Sequence, residues 1–226
     1  VTGGASADTV TLATQATGIS IDLAGGSDTL ILGDFRNTVT VSNVETITGG
    51  TSADSIVLGT QLTGATIDLG DGTDTLTLGA FLNTVTVTAV ETLTGGSTND
   101  TVVLGGQATG SVIDLGAGLD KLTLANAVNT VTVSNVETIT GGTTNDLVTF
   151  GAAVTGATVD LGAGNDVLVF AAAGGTVTAT NVETVTGSIA TDLLTLGSQA
   201  TGVIVDLGAG TDRLVLGNYV NTVTVS

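Results

Sequence analysis

The chain has 226 residues, a formal net charge of −18 from 21 acidic and three basic residues, and no Pro, Cys, Met, Trp or His. Without His and Cys, the usual zinc, copper and iron ligands and most nucleophile–base pairs are missing, and without a basic face nucleic acid is disfavoured as a partner. No apolar run approaches the ~20 residues of a membrane-spanning helix, and the N-terminal residues carry no signal-peptide pattern. Acidic chains with few aromatics are often disordered. This one is too apolar for that, at 42% hydrophobic residues, with Val, Leu, Ile and Thr set at strand spacing.

In chain order, a Gly-rich loop, Gly3–Asp8, leads into Thr9-Val10-Thr11-Leu12, whose alternation marks a half-buried strand. A polar turn follows at 14–18, and then a strand with Ile19, Ile21 and Leu23 on one face and Ser20 and Asp22 on the other. The loop Ala24–Asp28 precedes a third strand from Thr29 to Leu32. Asp34-Phe35-Arg36-Asn37 forms a second polar turn, with Asn37 suited to a left-handed backbone. From Thr38 to Thr48 the alternation breaks at Ser42-Asn43, which predicts a corner or bulge.

This set recurs. Ile21–Asp28 (IDLAGGSD) returns as Ile67–Asp74 (IDLGDGTD), Ile113–Asp120 (IDLGAGLD), Val159–Asp166 (VDLGAGND) and Val205–Asp212 (VDLGAGTD), always 46 residues on. A period this strict marks structural units stacked in one dimension. The expected fold is all-β: a parallel β-solenoid occupying 1–226 as one domain, with about five repeats of two coils each. One coil runs from Asp8 to Asp28 (20 residues) and the other from Asp28 to Asp54 (26 residues). Ten coils at the ~4.8 Å strand spacing give a rod of about 48 Å. Neither end reads as a polar cap, so the expectation is a piece of a longer repeat protein or a subunit that stacks end to end.

Fifteen of the 17 Asp residues fall on three registers, those of Asp8, Asp22 and Asp28. Stacked like charges are costly unless neutralised. The bland explanation is Asx-type turn capping with the charge left in water. The sharper one is Ca²⁺, which takes six to eight oxygens at flexible geometry and suits such loops better than Mg²⁺ does. The metal-ligand set it predicts is Asp8, Asp28, Asp54, Asp74, Asp100, Asp120, Asp146, Asp166, Asp192 and Asp212. Asp22 and its equivalents, on an outward strand position, are as well explained by a solvated face. Glu45, Glu91, Glu137 and Glu183 form a further ladder to which a structural role is assigned.

The loops ending at the Asp28 register resemble the G-G-x-G-x-D-x-apolar-x nonapeptide of the RTX, or haemolysin-type, calcium-binding repeats. Leu207–Val215 departs from it only in its first residue, whereas Gly95–Val103 has Thr98 where the third Gly belongs. The resemblance touches all five repeats and covers less than half of each. It implies a right-handed parallel β-roll, secreted by bacteria, with Ca²⁺ between stacked loops. With loops 20 and 26 residues apart, calcium is expected along one edge only, with ten loops leaving nine gaps at most. The decayed loop Gly187–Asp192 is the weakest of them.

Three function classes follow. The best supported is a non-enzymatic structural module of an adhesin, surface layer or filament, extracellular or on the bacterial cell surface, stiffened by Ca²⁺. Its partners would be other copies or further repeats end to end, with cell-surface or polysaccharide contact. The alternative is an ice- or surface-binding solenoid using the Thr-Val-Thr ranks at 38–40, 84–86, 130–132, 176–178 and 222–224. Their simpler explanation is the β-propensity of Thr. An enzyme is not expected: acids repeated five times are architecture, catalysis needs one asymmetric constellation, and Arg36, Lys121 and Arg213 do not converge.

Overall fold

The computed structural model describes all 226 residues. Repeat 1 supplies five strands: β1 (Thr9–Thr11), β2 (Thr17–Asp22), β3 (Thr29–Ile31), β4 (Thr38–Ser42) and β5 (Thr46–Gly50). Repeat 2 supplies the equivalent β6 (Ser55–Leu58), β7 (Thr63–Gly70), β8 (Thr75–Thr77), β9 (Thr84–Thr88) and β10 (Thr92–Gly96). The series runs on from β11 (Thr101–Leu104) to β24 (Thr222–Val225), with no helix. Odd-numbered strands form one 12-stranded parallel sheet and even-numbered strands the other. The chain therefore crosses from sheet to sheet after every strand, making twelve two-strand rungs and about eleven turns of a β-solenoid.

Five strands per repeat, in a body with two strands per rung, make each repeat two and a half turns long. This corrects the expectation of two coils. The break at Ser42-Asn43 is the cause, because Asn43 takes a left-handed conformation (φ 53°) and turns the chain into the other sheet, as Ala89, Asn135 and Asn181 do. The span from Asp28 to Asp54 is thus not one rung but one and a half. Thr29 pairs with Thr46, only 17 residues on. Successive repeats start on opposite sheets, so the second is related to the first by half a turn. The bulge lies elsewhere, at Gly18 (φ 64°), where the register with β4 shifts between Thr17 and Ile19.

The core is a stack of aliphatic columns between the sheets, since alternate residues of every strand point inward. One column runs Val39, Ile56, Leu76, Leu93, Ile113, Val133 and Phe150, paired rung to rung, and all seven are buried. Aromatic rings enter only late, where Phe150 meets Phe170 edge-on at 6.2 Å. The two sheets turn their other faces outward, and the crossings between them form two long edges that carry the acids.

Candidate functional site: two acidic edge ladders

The residue just before each strand stands at an edge and points inward at the corner. On the edge where odd strands pass to even ones, these residues are Ala16, Asn37, Asp54, Asp74 and Glu91, then Ala108, Asn129, Asp146, Asp166 and Glu183. The opposite edge runs Asp8, Asp28, Glu45, Leu62, Asn83, Asp100, Asp120 and Glu137. Both edges repeat one cycle, apolar–Asn–Asp–Asp–Glu, half a turn out of phase. The single loop edge expected from spacing is corrected by topology, because the Gly/Asp loops alternate between edges.

Each backbone N–H in the column donates to the side chain one rung further on. Ala16 N–H donates to Asn37 Oδ1 at 2.9 Å, Asn37 N–H to Asp54 Oδ1 at 2.8 Å, Asp54 N–H to Asp74 Oδ1 at 2.6 Å and Asp74 N–H to Glu91 Oε2 at 2.7 Å. The same bonds recur through Asn83, Asp100, Asp120 and Glu137 on the other edge. These corners would otherwise bury unpaired donors, a cost of ~1–3 kcal/mol each. The ladder ends at Glu because the next position, Leu62 or Ala108, has no acceptor. Asn37, expected to ease a left-handed turn, is instead a fully buried ladder rung whose amide donates to Phe35 O at 2.6 Å and Asp54 Oδ1 at 3.0 Å.

The ten predicted ligands divide into five pairs on adjacent rungs: Asp8 with Asp28, Asp54 with Asp74, Asp100 with Asp120, Asp146 with Asp166 and Asp192 with Asp212. In each pair the first residue's N–H meets the second's Oδ1 at 2.6–2.9 Å. Loops stack only within a pair, so the nine gaps expected from ten loops reduce to five. Asp8 and Asp212, on the outermost rungs, are partly exposed, and the other eight are buried.

In seven of the ten, capping uses one carboxylate oxygen and leaves the other buried. Oδ2 of Asp28, Asp54, Asp74, Asp100, Asp120, Asp146 and Asp166 is buried with no hydrogen-bond partner. Buried polar groups ordinarily find partners, so these seven oxygens call for a proton, a bound water or a cation. At Asp74 the approach is close enough to require glycine: a Cβ added at Gly72 would lie 2.9 Å from both Asp74 oxygens. Burial pushes the Asp74, Asp120 and Asp166 carboxyls up to about 6, opposed by the N–H bond each accepts and reinforced by the carboxylates on the rungs before and after. Asp54 and Asp100 are raised for the same chief reason, burial, against the bonds from Asn37 and Asn83, with the nearby Gly96 N–H also lowering Asp100. No three carboxylates converge on one point, so a cation here would draw most of its oxygens from loop carbonyls. The residues fit Ca²⁺ on those terms and fit a six-water Mg²⁺ poorly.

The Asp22 register is separate. Asp22 Oδ1 accepts the Ala24 N–H at 3.0 Å and the Asn43 amide at 2.7 Å, tying the left-handed corner to the rung before it. Asp114 and Asp160 do the same with Asn135 and Asn181. Lys121 and Arg213 share one repeat position, 92 residues apart, and both are exposed on the odd-strand face. A cavity of about 150 Å³ lies against Ala200, with Val182 and Leu196 in its apolar wall and Glu183 at its rim. Its counterpart at Ala108 is about 30 Å³.

No family model, curated protein or solved structure matches the chain.

Proposed function

We propose that this chain is a non-enzymatic, extracellular structural module, a bacterial surface or filament rod whose paired Gly/Asp loops bind Ca²⁺ on alternating edges. The observation that carries the reading is the set of seven buried carboxylate oxygens without a donor. A rod built from repeated rungs, with ladders on two edges and a sheet face on either side, suits a spacer or lattice element. Copies or further repeats would add end to end, because the outermost strands of each sheet leave backbone donors and acceptors unpaired. Cation binding would then be coupled to folding.

A calcium titration of the EDTA-stripped chain, followed by circular dichroism and calorimetry with Mg²⁺ as control, tests this. A cooperative gain of β signal with several Ca²⁺ per chain supports it. A fully folded chain indifferent to EDTA and to calcium rejects it and leaves the aspartates as ladder rungs alone.

The ice- or surface-binding alternative gains one observation. Thr9, Thr29, Thr46, Thr66 and Thr86 stand in register on five consecutive rungs, so the corner at Asn43 does not interrupt them. The adjoining rank does not hold: Thr11, Ile31, Thr48, Asp68 and Thr88 occupy it. A two-dimensional lattice match needs both, and the structural reading stands ahead.

A further inference from the structure

Within the calcium reading, on which this inference rests, the Glu register acquires a role that the ladder does not explain. A ladder rung needs an acceptor and no charge: Asn37, Asn83 and Asn129 fill it with an amide. A neutral Gln would serve at the last rung equally well, yet Glu45, Glu91, Glu137 and Glu183 stand there in all four repeats that reach it. Each follows the most buried acid of its column. Asp74, Asp120 and Asp166 are fully buried and Asp28 is 1% exposed, and each keeps an unpartnered Oδ2. Each donates its own N–H to Oε2 of the next-rung Glu at 2.7–2.8 Å, which pins that carboxylate against the same corner and leaves Oε1 outside the ladder. Two carboxylates one rung apart, one of them dehydrated, repel strongly unless a cation lies between them. The chain's own cations do not supply one, since Arg36 is exposed in its edge loop and Lys121 and Arg213 face outward from the sheet.

We propose that these four glutamates are ligands that close the calcium slots, one divalent cation being held at each Asp–Glu step: Asp28–Glu45, Asp74–Glu91, Asp120–Glu137 and Asp166–Glu183. A doubly charged ion balances the two carboxylates locally, and its remaining oxygens come from loop carbonyls and water. Stoichiometry is then set by the glutamates, at four per 226 residues, and the Asp192–Asp212 pair, followed by no Glu in this sequence, binds weakly.

The test replaces all four, E45Q/E91Q/E137Q/E183Q, since Gln keeps an oxygen for the ladder N–H and removes only the charge. Calcium binding is measured by calorimetry, and melting is followed with EDTA and with calcium. The expected result is about four tight sites in the wild type and affinity weakened at least about tenfold in the variant. The EDTA-treated variant should melt no lower than the EDTA-treated wild type. Wild-type affinity and stoichiometry in the variant would overturn the ligand role while leaving the calcium reading intact. No binding by the wild type would overturn both. Should the quadruple variant fail to fold, E91Q alone is expected to lose one site of the four, and its retention would count against the proposal.

Discussion

The loop ending at Asp192 and those ending at Asp54, Asp100 and Asp146 occupy the same place in the repeat and treat the same oxygen differently. At Asp192 the residue four positions earlier is Ser188, whose N–H donates to Oδ2 at 2.8 Å and whose hydroxyl lies 3.0 Å from it. Gly50, Gly96 and Gly142 stand there in the other three, where Oδ2 has no partner, whereas at Asp8, the first of the register, the equivalent Gly4 N–H donates to Oδ2 at 2.8 Å. The fifth repeat has also exchanged the ladder Asn for Gly175, whose N–H still reaches Asp192 Oδ1 at 2.9 Å. A loop that looks decayed as a motif is therefore the better satisfied one as a protein-only structure. The difference teaches that the second carboxylate oxygen, not the first, is where an external partner is wanted.

The strongest way to break that comparison is to remove an interior rung. Asp74→Ala deletes the acceptor for the Asp54 N–H and should cost about 3 kcal/mol, read as a lowered urea midpoint with or without calcium. Asp74→Asn keeps an acceptor, as Asn37 does earlier on the same edge, and should fold as the wild type. If Asp74→Ala were as stable as Asp74→Asn, the ladder would not be holding the edge.

Protonation separates the two oxygens next. Asp74, Asp120 and Asp166 are raised from 3.8 to about 6 by burial first, with the flanking carboxylates adding to it. The folded state therefore binds protons more tightly than the unfolded one. The resulting stability is fully present below about pH 3.8 and is lost as pH rises through about 6. EDTA-treated protein should have a higher urea midpoint at pH 5 than at pH 7.5. The variant D74N/D120N/D166N should flatten that slope, which distinguishes these groups from the general repulsion of a chain with charge −18. An unchanged slope in the variant would place the effect elsewhere.

Much of this architecture is legible in the amino-acid order alone. The 46-residue period, the strand alternation and the Gly/Asp loops point to a single parallel β-solenoid, and the ten aspartates do fall in pairs on stacked corners. The half-turn is harder to see, because the stretch from Thr38 to Thr48 has the alternation of one strand with a kink. Its Asn43 is a left-handed corner, which raises the strand count to an odd number. A signal for it is present: Asp8, Ala16, Asn37, Glu45 and Asp54 each stand immediately before a Thr or Ser that opens a strand. That spelling marks every crossing of the first repeat, including those without a Gly loop. The burial of Asn37 has no such signal, because its partner Asp54 lies 17 residues away and only a correct rung length brings the two together.

The smallest effect sharpens the comparison by transplanting the serine. At Gly50 and Gly96 an added Cβ would collide with the carbonyls of Gly33 and Gly79, whereas at Gly142 its nearest neighbour is the Asn126 side-chain oxygen at 3.0 Å, with Ala125 O at 3.3 Å. The backbone one rung earlier carries Ala125 there, as it carries Ala171 before Ser188, and room opens with it. Gly142→Ser should therefore be tolerated where Gly50→Ser is not. Its hydroxyl should satisfy Asp146 Oδ2 as Ser188 satisfies Asp192, a gain of about 1 kcal/mol in EDTA. Calcium should then stabilise the variant less than it does the wild type, because one oxygen that sought a cation has found a hydroxyl. Ser188→Gly removes the hydroxyl but keeps the N–H on Asp192 Oδ2, so it should cost about 1 kcal/mol in EDTA and, with no Glu on the following rung, leave the calcium response unchanged. If Gly142→Ser left the calcium response unchanged in calorimetric melts, the orphaned Oδ2 would not be part of the cation slot, and the ligand set would have to be rebuilt around loop carbonyls alone.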